Sequence, residues 1–270
     1  MREIPKEIVE HYQATNEDSR IRRGLGQLEF LRTQAIVRKY LPPSPQEIVD
    51  IGGATGVHAS WLAEDGHHVQ IFDVVPKHVD TAQKLAAGSS LISAAMGDAR
   101  KLPSADNSMD ATLLFGPLYH LTSREDRLAA LHEARRVVRP GGLIFVATIS
   151  RFASLIDGLE EGFIFTDEGA RMVGEDLATG QHRNPSENPQ FFTTAYFHRP
   201  EEIRQECLDA GLEVVAVLGV EGPAGWFSHL ADRWDDPVAR EAIVRSAEQV
   251  ESEVSMLGAS AHLITVARVP

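Results

Sequence analysis

Val49-Asp-Ile-Gly-Gly-Ala-Thr-Gly56 is the end of an apolar strand that runs directly into a glycine-rich turn and then into a helical pattern carrying Val57, Trp61 and Leu62. Strand, glycine turn and helix in that order are how open α/β sheets offer backbone N–H groups to phosphates and nucleosides. Glycine lets the backbone turn sharply and lets a ligand approach with no Cβ in the way, which makes Gly52, Gly53 and Gly56 candidate binding residues. A dinucleotide fingerprint counted from Gly52 needs glycine at 54 and 57, where the chain has Ala54 and Val57. Asp50, just before the first glycine, suits a cationic ligand better than a pyrophosphate.

Two further acids follow at strand ends. Val69-Gln-Ile-Phe-Asp73 reads as the next strand, and its terminal carboxylate stands about 20 residues past the first glycine, where it accepts from ribose hydroxyls, with Val74 beside it. Asp98 follows a weaker strand, Leu91 to Met96, in Gly97-Asp-Ala-Arg-Lys-Leu-Pro103. It is placed to accept from an adenine amino group, with the Ala99 N–H facing a ring nitrogen. Taken singly, Asp73 and Asp98 fit a turn or a cap as well. Three acids at three successive strand ends form a more specific pattern than one glycine loop.

Working outward, short apolar strands alternate with amphipathic helices. Ala111-Thr-Leu-Leu-Phe115 is a fourth strand, Thr122-x-x-Glu125 reads as a capping box opening a helix through Val138, and Arg139-Pro-Gly-Gly142 turns the chain into the strand Leu143 to Thr148. This alternation argues for a parallel sheet covered on both faces. Ahead of it the chain reads as helical, with Ile4, Ile8, Val9 and Tyr12 on one face, then Leu28, Leu31 and Ala35, stopped by Leu41-Pro-Pro-Ser-Pro45. From Arg151 to Arg199 the alternation lapses into mixed aromatic, Gly, Asn and Pro residues, which reads as an inserted helical lobe. It resumes with a helix from Glu201 to Ala210, a strand from Leu212 to Val220, a helix with Ile243, Ala247, Val250, Val254 and Leu257 on one face, and the strand His262 to Arg268. The expected organisation is one domain over 1–270: a helical cover (1–42), a binding core (43–150), the lobe (151–199) and a completion of the sheet (200–270).

Val49 to Gly56, Phe72-Asp73, Gly97-Asp-Ala99, Asp110 to Leu121 and Arg139-Pro-Gly-Gly142 together resemble the class I S-adenosylmethionine-dependent methyltransferases, over roughly residues 47 to 150. Phe115-Gly-Pro-Leu-Tyr-His-Leu121 is similar to a bacterial small-molecule subgroup. The resemblance implies a Rossmann-like, doubly wound seven-stranded α/β sheet with its last strand antiparallel, and S-adenosylmethionine held by Asp50, Gly52, Gly53, Gly56, Asp73, Val74, Asp98, Ala99 and Phe115. Ala54 departs from the glycine the family usually has there, which implies a slightly altered loop.

Methyl transfer to a small molecule is the leading reading. A cyclase or lyase using the same cofactor, or a non-catalytic binding module, shares every motif quoted. A dehydrogenase is disfavoured by the glycine spacing. The protein's task in such a transfer is to align the acceptor and exclude water, with a base needed only where the acceptor carries a proton. Gly116 and Pro117 break the fourth strand at the sheet's carboxyl end, so Tyr119 and His120 are candidate catalytic residues, against roles as a packed aromatic and a turn cap. In the lobe, His182 and His198 are further catalytic candidates, and Arg183 and Tyr196 join Tyr12 as candidate acceptor contacts; lobe packing is the alternative for each.

The net charge of −13 gives no general attraction to phosphate backbones or anionic lipid, so the expected partner is a small molecule, with neither nucleic acid nor membrane. There is no Pro-Pro-aromatic or Pro-Cys signature of a nucleic-acid base methylator, and no metal-ligand spacing, so no metal is expected. The single Cys207 and the polar N-terminus point to the cytoplasm, with a monomer or homodimer expected.

Overall fold

The computed structural model describes residues 7–8, 21, 24–186, 188 and 191–270. Tyr12 and nearly half of the expected N-terminal cover lie outside the described residues. The first helix with described bounds, α1 (Gly26–Tyr40), leads into β1 (Glu47–Ile51), α2 (Val57–Glu64), β2 (His68–Asp73), α3 (Pro76–Ala86), β3 (Ile92–Met96) and β4 (Met109–Leu114). A short α4 (Pro117–His120), α5 (Arg124–Val137) and the long β5 (Val138–Ile149) follow. The lobe comprises α6 (Ala153–Glu160), α7 (Asp167–Thr179) and a ribbon of β6 (Gln181–His182) and β7 (Ala195–Tyr196). Then come α8 (Pro200–Asp209), β8 (Glu213–Gly219), α9 (Pro237–Val250) and β9 (His262–Arg268).

Seven strands form one sheet in the order β3-β2-β1-β4-β5-β9-β8, and β9 runs antiparallel to both its neighbours. This is the expected seven-stranded α/β sheet. Its inner strands are buried on both faces, so they read as near-continuous apolar runs. One face packs Val49, Ile51, Leu114 and Val146 against Ala130 and Leu131 of α5 and Ile203 and Cys207 of α8. The other packs Ile48, Ile71, Leu113 and Phe145 against Ile36 of α1, Leu62 of α2 and Ala82 of α3. Buried among α8 side chains, the Cys207 thiol is pushed up to about 12 by desolvation and then by Glu206.

Four sequence expectations are corrected. In α1 the buried stripe is Leu28, Arg32, Ile36 and Val37, while Leu31 and Ala35 are exposed. Arg32 belongs inside because it meets the buried Glu251 carboxylate and the Val220 carbonyl. The cap of α5 is Ser123, not Thr122: its Oγ accepts from the Asp126 N–H at 3.2 Å. That helix ends at Val137, since Val138 already pairs with Met109 in the sheet. The last helix stops at Val250, leaving Val254 exposed and Leu257 in a separate buried turn. His67 is buried, and desolvation lowers its imidazole.

Candidate functional site

The chain reverses its progress across the sheet at β1, where β2 lies on one side and β4 on the other. Ligands of open α/β sheets bind in the crevice outside the carboxyl ends of the strands at this switch point. A cavity of about 1380 Å³, its open mouth included, lies there. Gly52, Gly53, Ala54, Val74, Ala99 and Phe115 line it together with Asp50, Asp73 and Asp98, so the structure brings nearly all of the expected cofactor residues to one wall.

The turn needs its glycines for space. A Cβ on Gly52, whose φ is +71°, would sit 2.5 Å from the ring carbons of Pro117, and one on Gly53 would sit 2.6 Å from the Asp50 carboxylate. Ala54 takes a left-handed φ of +48°, a strained conformation for a residue with a Cβ, and its N–H reaches Asp73 Oδ2 at 3.0 Å. Gly56 is the exception among the expected residues. It caps α2 at φ +93° against Leu85 and Ile71 and is not on the cavity wall, so it serves the turn's packing.

The three acids are held in three different ways. Asp50 is fully buried, and neither carboxylate oxygen has a hydrogen-bond partner among the described residues. Burial, and then the nearby Asp73, push it up to about 7. Asp73 Oδ1 accepts from the Val75 N–H at 2.8 Å and lies 3.3 Å from His78 Nδ1. Asp98 forms a fork with Arg100, 2.7 Å to Nη2 and 3.0 Å to Nε. Burial opposes its ionisation, yet the Arg100 hydrogen bonds outweigh burial and hold it below the usual range. Asp98 therefore stands on the binding wall as the acid of an ion pair.

Several wall residues went unnoticed in the sequence. His58 stands in the first turn of α2, directly after the glycine turn, and its Nδ1 accepts from the Trp61 indole N–H at 3.3 Å. Because an indole N–H only donates, the His58 proton sits on Nε2; desolvation lowers this imidazole to about 4, against a small opposing pull from Glu29. His78 and Arg100 lie within one turn of Asp73 and Asp98, so their positions were a usable signal. Glu29, Thr33 and His262 also line the cavity and come from opposite ends of the chain. Glu29 and His262, with Glu221, place ligand-type atoms within 4.8 Å of one another. Sequence spacing holds no trace of this grouping. Glu221 already accepts from the Ser260 hydroxyl and the His262 N–H.

Tyr119 and His120 are on the wall as expected. His120 Nδ1 lies 3.1 Å from the Thr194 carbonyl, and its ring stacks on Phe192, which is how the lobe reaches the site. The other lobe candidates are not on the wall. His182 is buried against Asp176 at 2.8 Å and the Phe192 carbonyl at 3.1 Å. Arg183 donates to the His182 carbonyl and to Gln181. Tyr196 lies beneath the Arg127 guanidinium, 3.7 Å from its ring centre. His198 is fully buried beside Glu206, at 3.3 Å, and burial lowers its imidazole. Burial also works against Glu206, but His198 and Arg127 hold it at about 2. Arg127 thus ties the ribbon to α5 and α8. The polar groups of His182 and Arg183 are thus held within the lobe, and Tyr196 and His198 join it to α5 and α8.

A family model described as a methyltransferase domain matches residues 48–142. An uncharacterized methyltransferase of Mycobacterium tuberculosis is 28% identical over 176 residues, 65% of this chain and 65% of that protein. A ubiquinone/menaquinone biosynthesis C-methyltransferase of Ruegeria sp. is 32% identical over 129 residues, 45% of this chain and 49% of that protein. The match to these curated relatives thus spans less than two thirds of their length. The crystal structure of an S-adenosylmethionine-dependent methyltransferase from Mesorhizobium loti is 18% identical with a TM-score of 0.60, over 89% of this chain and 99% of that one, a likeness of fold.

Proposed function

We propose that this chain, which belongs to the class I S-adenosylmethionine-dependent methyltransferases and has S-adenosylmethionine as its cofactor, transfers a methyl group to a small-molecule acceptor. Asp50 is the observation that carries the reading. A carboxylate with no exposure and no partner among the described residues is costly to ionise, and a ligand bearing positive charge removes that cost. When bound, the cofactor supplies an electrophilic methyl carbon on a positively charged sulfur. The residues present fit it: Asp50 faces a cationic group, Asp73 retains acceptor capacity for ribose hydroxyls, and the paired Asp98 and Arg100 close the nucleoside end.

The rest of the wall orients the acceptor and excludes water. Phe115, Ala147, Val220 and Ile264 offer an apolar surface for its body. The acidic groups Glu29, Asp50 and Asp73, set against a basic Arg100 already paired with Asp98 and Asp126, favour a neutral or cationic acceptor over an anionic one. A net charge of −13 supports a small molecule over a nucleic acid. Among the described residues no helix is long and apolar enough to cross a membrane. The buried Cys207 thiol supports action in a reducing compartment such as the cytoplasm.

The test is the fate of the cofactor. Incubated with S-adenosylmethionine and a metabolite extract, the protein should yield S-adenosylhomocysteine by mass spectrometry, together with a product heavier by one methylene. Methylthioadenosine as the nucleoside product would replace this reading with attack at the aminocarboxypropyl carbon, and no consumption at all would contradict it.

A further inference from the structure

The strand ends lay out the two halves of the cofactor site along the sheet. Asp98 follows β3 and Asp73 closes β2, while Phe115 follows β4 on the other side of β1. From β3 to β4 is three strand spacings, about 14 Å. A nucleoside held by Asp73 and Asp98 therefore directs its amino-acid half across the glycine turn toward β4. Asp50 suits the ammonium of that half, but its carboxylate needs donors. Arg100 is the single Lys or Arg on the cavity wall among the described residues. It stands at the nucleoside end, with its three guanidinium nitrogens on Asp98 and Asp126.

His58 offers a donor at the other end. Its ring is held between Phe30 of α1, Trp61 of its own helix and Phe115, with ring centres 5.8, 6.4 and 5.3 Å away. The buried Trp61 indole N–H donates to Nδ1, which puts the proton of the neutral ring on Nε2. The ring lines the cavity, and among the described residues Nε2 has no hydrogen-bond partner. Desolvation, which lowers this imidazole to about 4, keeps it neutral at neutral pH. An Nε2–H has no lone pair to offer, so it cannot receive an ammonium, which only donates. Its place in the first turn of α2 adds the positive end of the helix dipole, which favours a negative group. Glu29, which exerts a small pull on the ring, lies 4.0 Å from His262 Nδ1, where its charge is shared.

We propose that His58 donates from Nε2 to the carboxylate of S-adenosylmethionine, with Trp61 as the positioning residue that fixes the proton on that nitrogen. The inference deepens the methyl-transfer reading above and rests on its cofactor. A neutral donor suits this place better than an arginine, because a full cation there would compete with the ligand's ammonium for Asp50.

Calorimetry with S-adenosylhomocysteine and with decarboxylated S-adenosylhomocysteine, which keeps the ammonium and lacks the carboxylate, tests the proposal. His58→Phe should weaken S-adenosylhomocysteine by roughly 20-fold, the loss of one hydrogen bond to a charged group, and the decarboxylated ligand by less than about twofold. His58→Gln keeps an N–H at similar reach and should bind S-adenosylhomocysteine within about fourfold of wild type. Nitrogen NMR should place the His58 proton on Nε2 in wild type and share it between both nitrogens in Trp61→Phe, with S-adenosylhomocysteine weakened about threefold. Equal losses for the two ligands in His58→Phe, no loss for S-adenosylhomocysteine, or a wild-type proton on Nδ1 would each overturn the proposal and leave the cofactor reading standing. A wild type that binds neither ligand sinks the methyl-transfer reading itself.

Discussion

The two ends of the cavity are built by different means. At the nucleoside end, each functional acid closes one strand, and its supporting groups follow within a few residues: Val75 and His78 after Asp73, Arg100 after Asp98. At the far end, Glu29, Glu221 and His262 converge from three distant segments, with Glu221 anchored by the Ser260 hydroxyl. The lobe, richest in suggestive residues, presents Phe192 and the Thr194 carbonyl to the site, while His182 and His198 meet carboxylates and Arg183 donates within the ribbon. A strand end fixes direction and position at once, so chemistry placed there needs only local sequence. Chemistry assembled across the fold needs the fold.

This contrast can be broken by mutation. The largest expected effect is structural: Asp176→Ala strips His182 of its buried partner and should cost about 3 kcal/mol in denaturant unfolding, with S-adenosylhomocysteine affinity unchanged in the folded protein. A lobe histidine that also bound ligand would show weakened affinity instead. Asp73→Ala should weaken S-adenosylhomocysteine by roughly 50-fold in calorimetry, through lost hydroxyl and loop contacts.

Asp50 sharpens the picture through pH. With its carboxyl at about 7 in the free protein, it is protonated below that pH, and a cationic ligand favours the ionised form. Binding of S-adenosylmethionine should therefore release a proton and strengthen as pH rises, by roughly tenfold between pH 6 and 8, then level off. Asp50→Asn should flatten the profile. The smallest expected effect is Ala54→Gly, which removes left-handed strain but adds freedom to the unfolded chain, for a net gain of roughly 0.5–1 kcal/mol and little change in affinity.

The sheet was legible because its inner strands are apolar on both faces and its turns carry glycine, proline and acids at fixed places. The nucleoside wall was legible for the same reason; Gly56 was misassigned because sequence does not separate a glycine that admits a ligand from one that admits Leu85. The α1 stripe was misread because a buried arginine scores as polar until Glu251 is known to face it. His182, Arg183, Tyr196 and His198 looked like a pocket because a small lobe with little apolar core and an acceptor site use the same residue types. His262 was passed over because its meaning comes from Glu221, across a register that sequence alone does not fix.

The central claim is that the strand-end acids select S-adenosylmethionine. Calorimetry of the purified protein against S-adenosylmethionine, S-adenosylhomocysteine and NAD tests it most directly. The account predicts one-to-one binding of both sulfur nucleosides and none of NAD. Binding of NAD alone, or of no nucleoside, would contradict it.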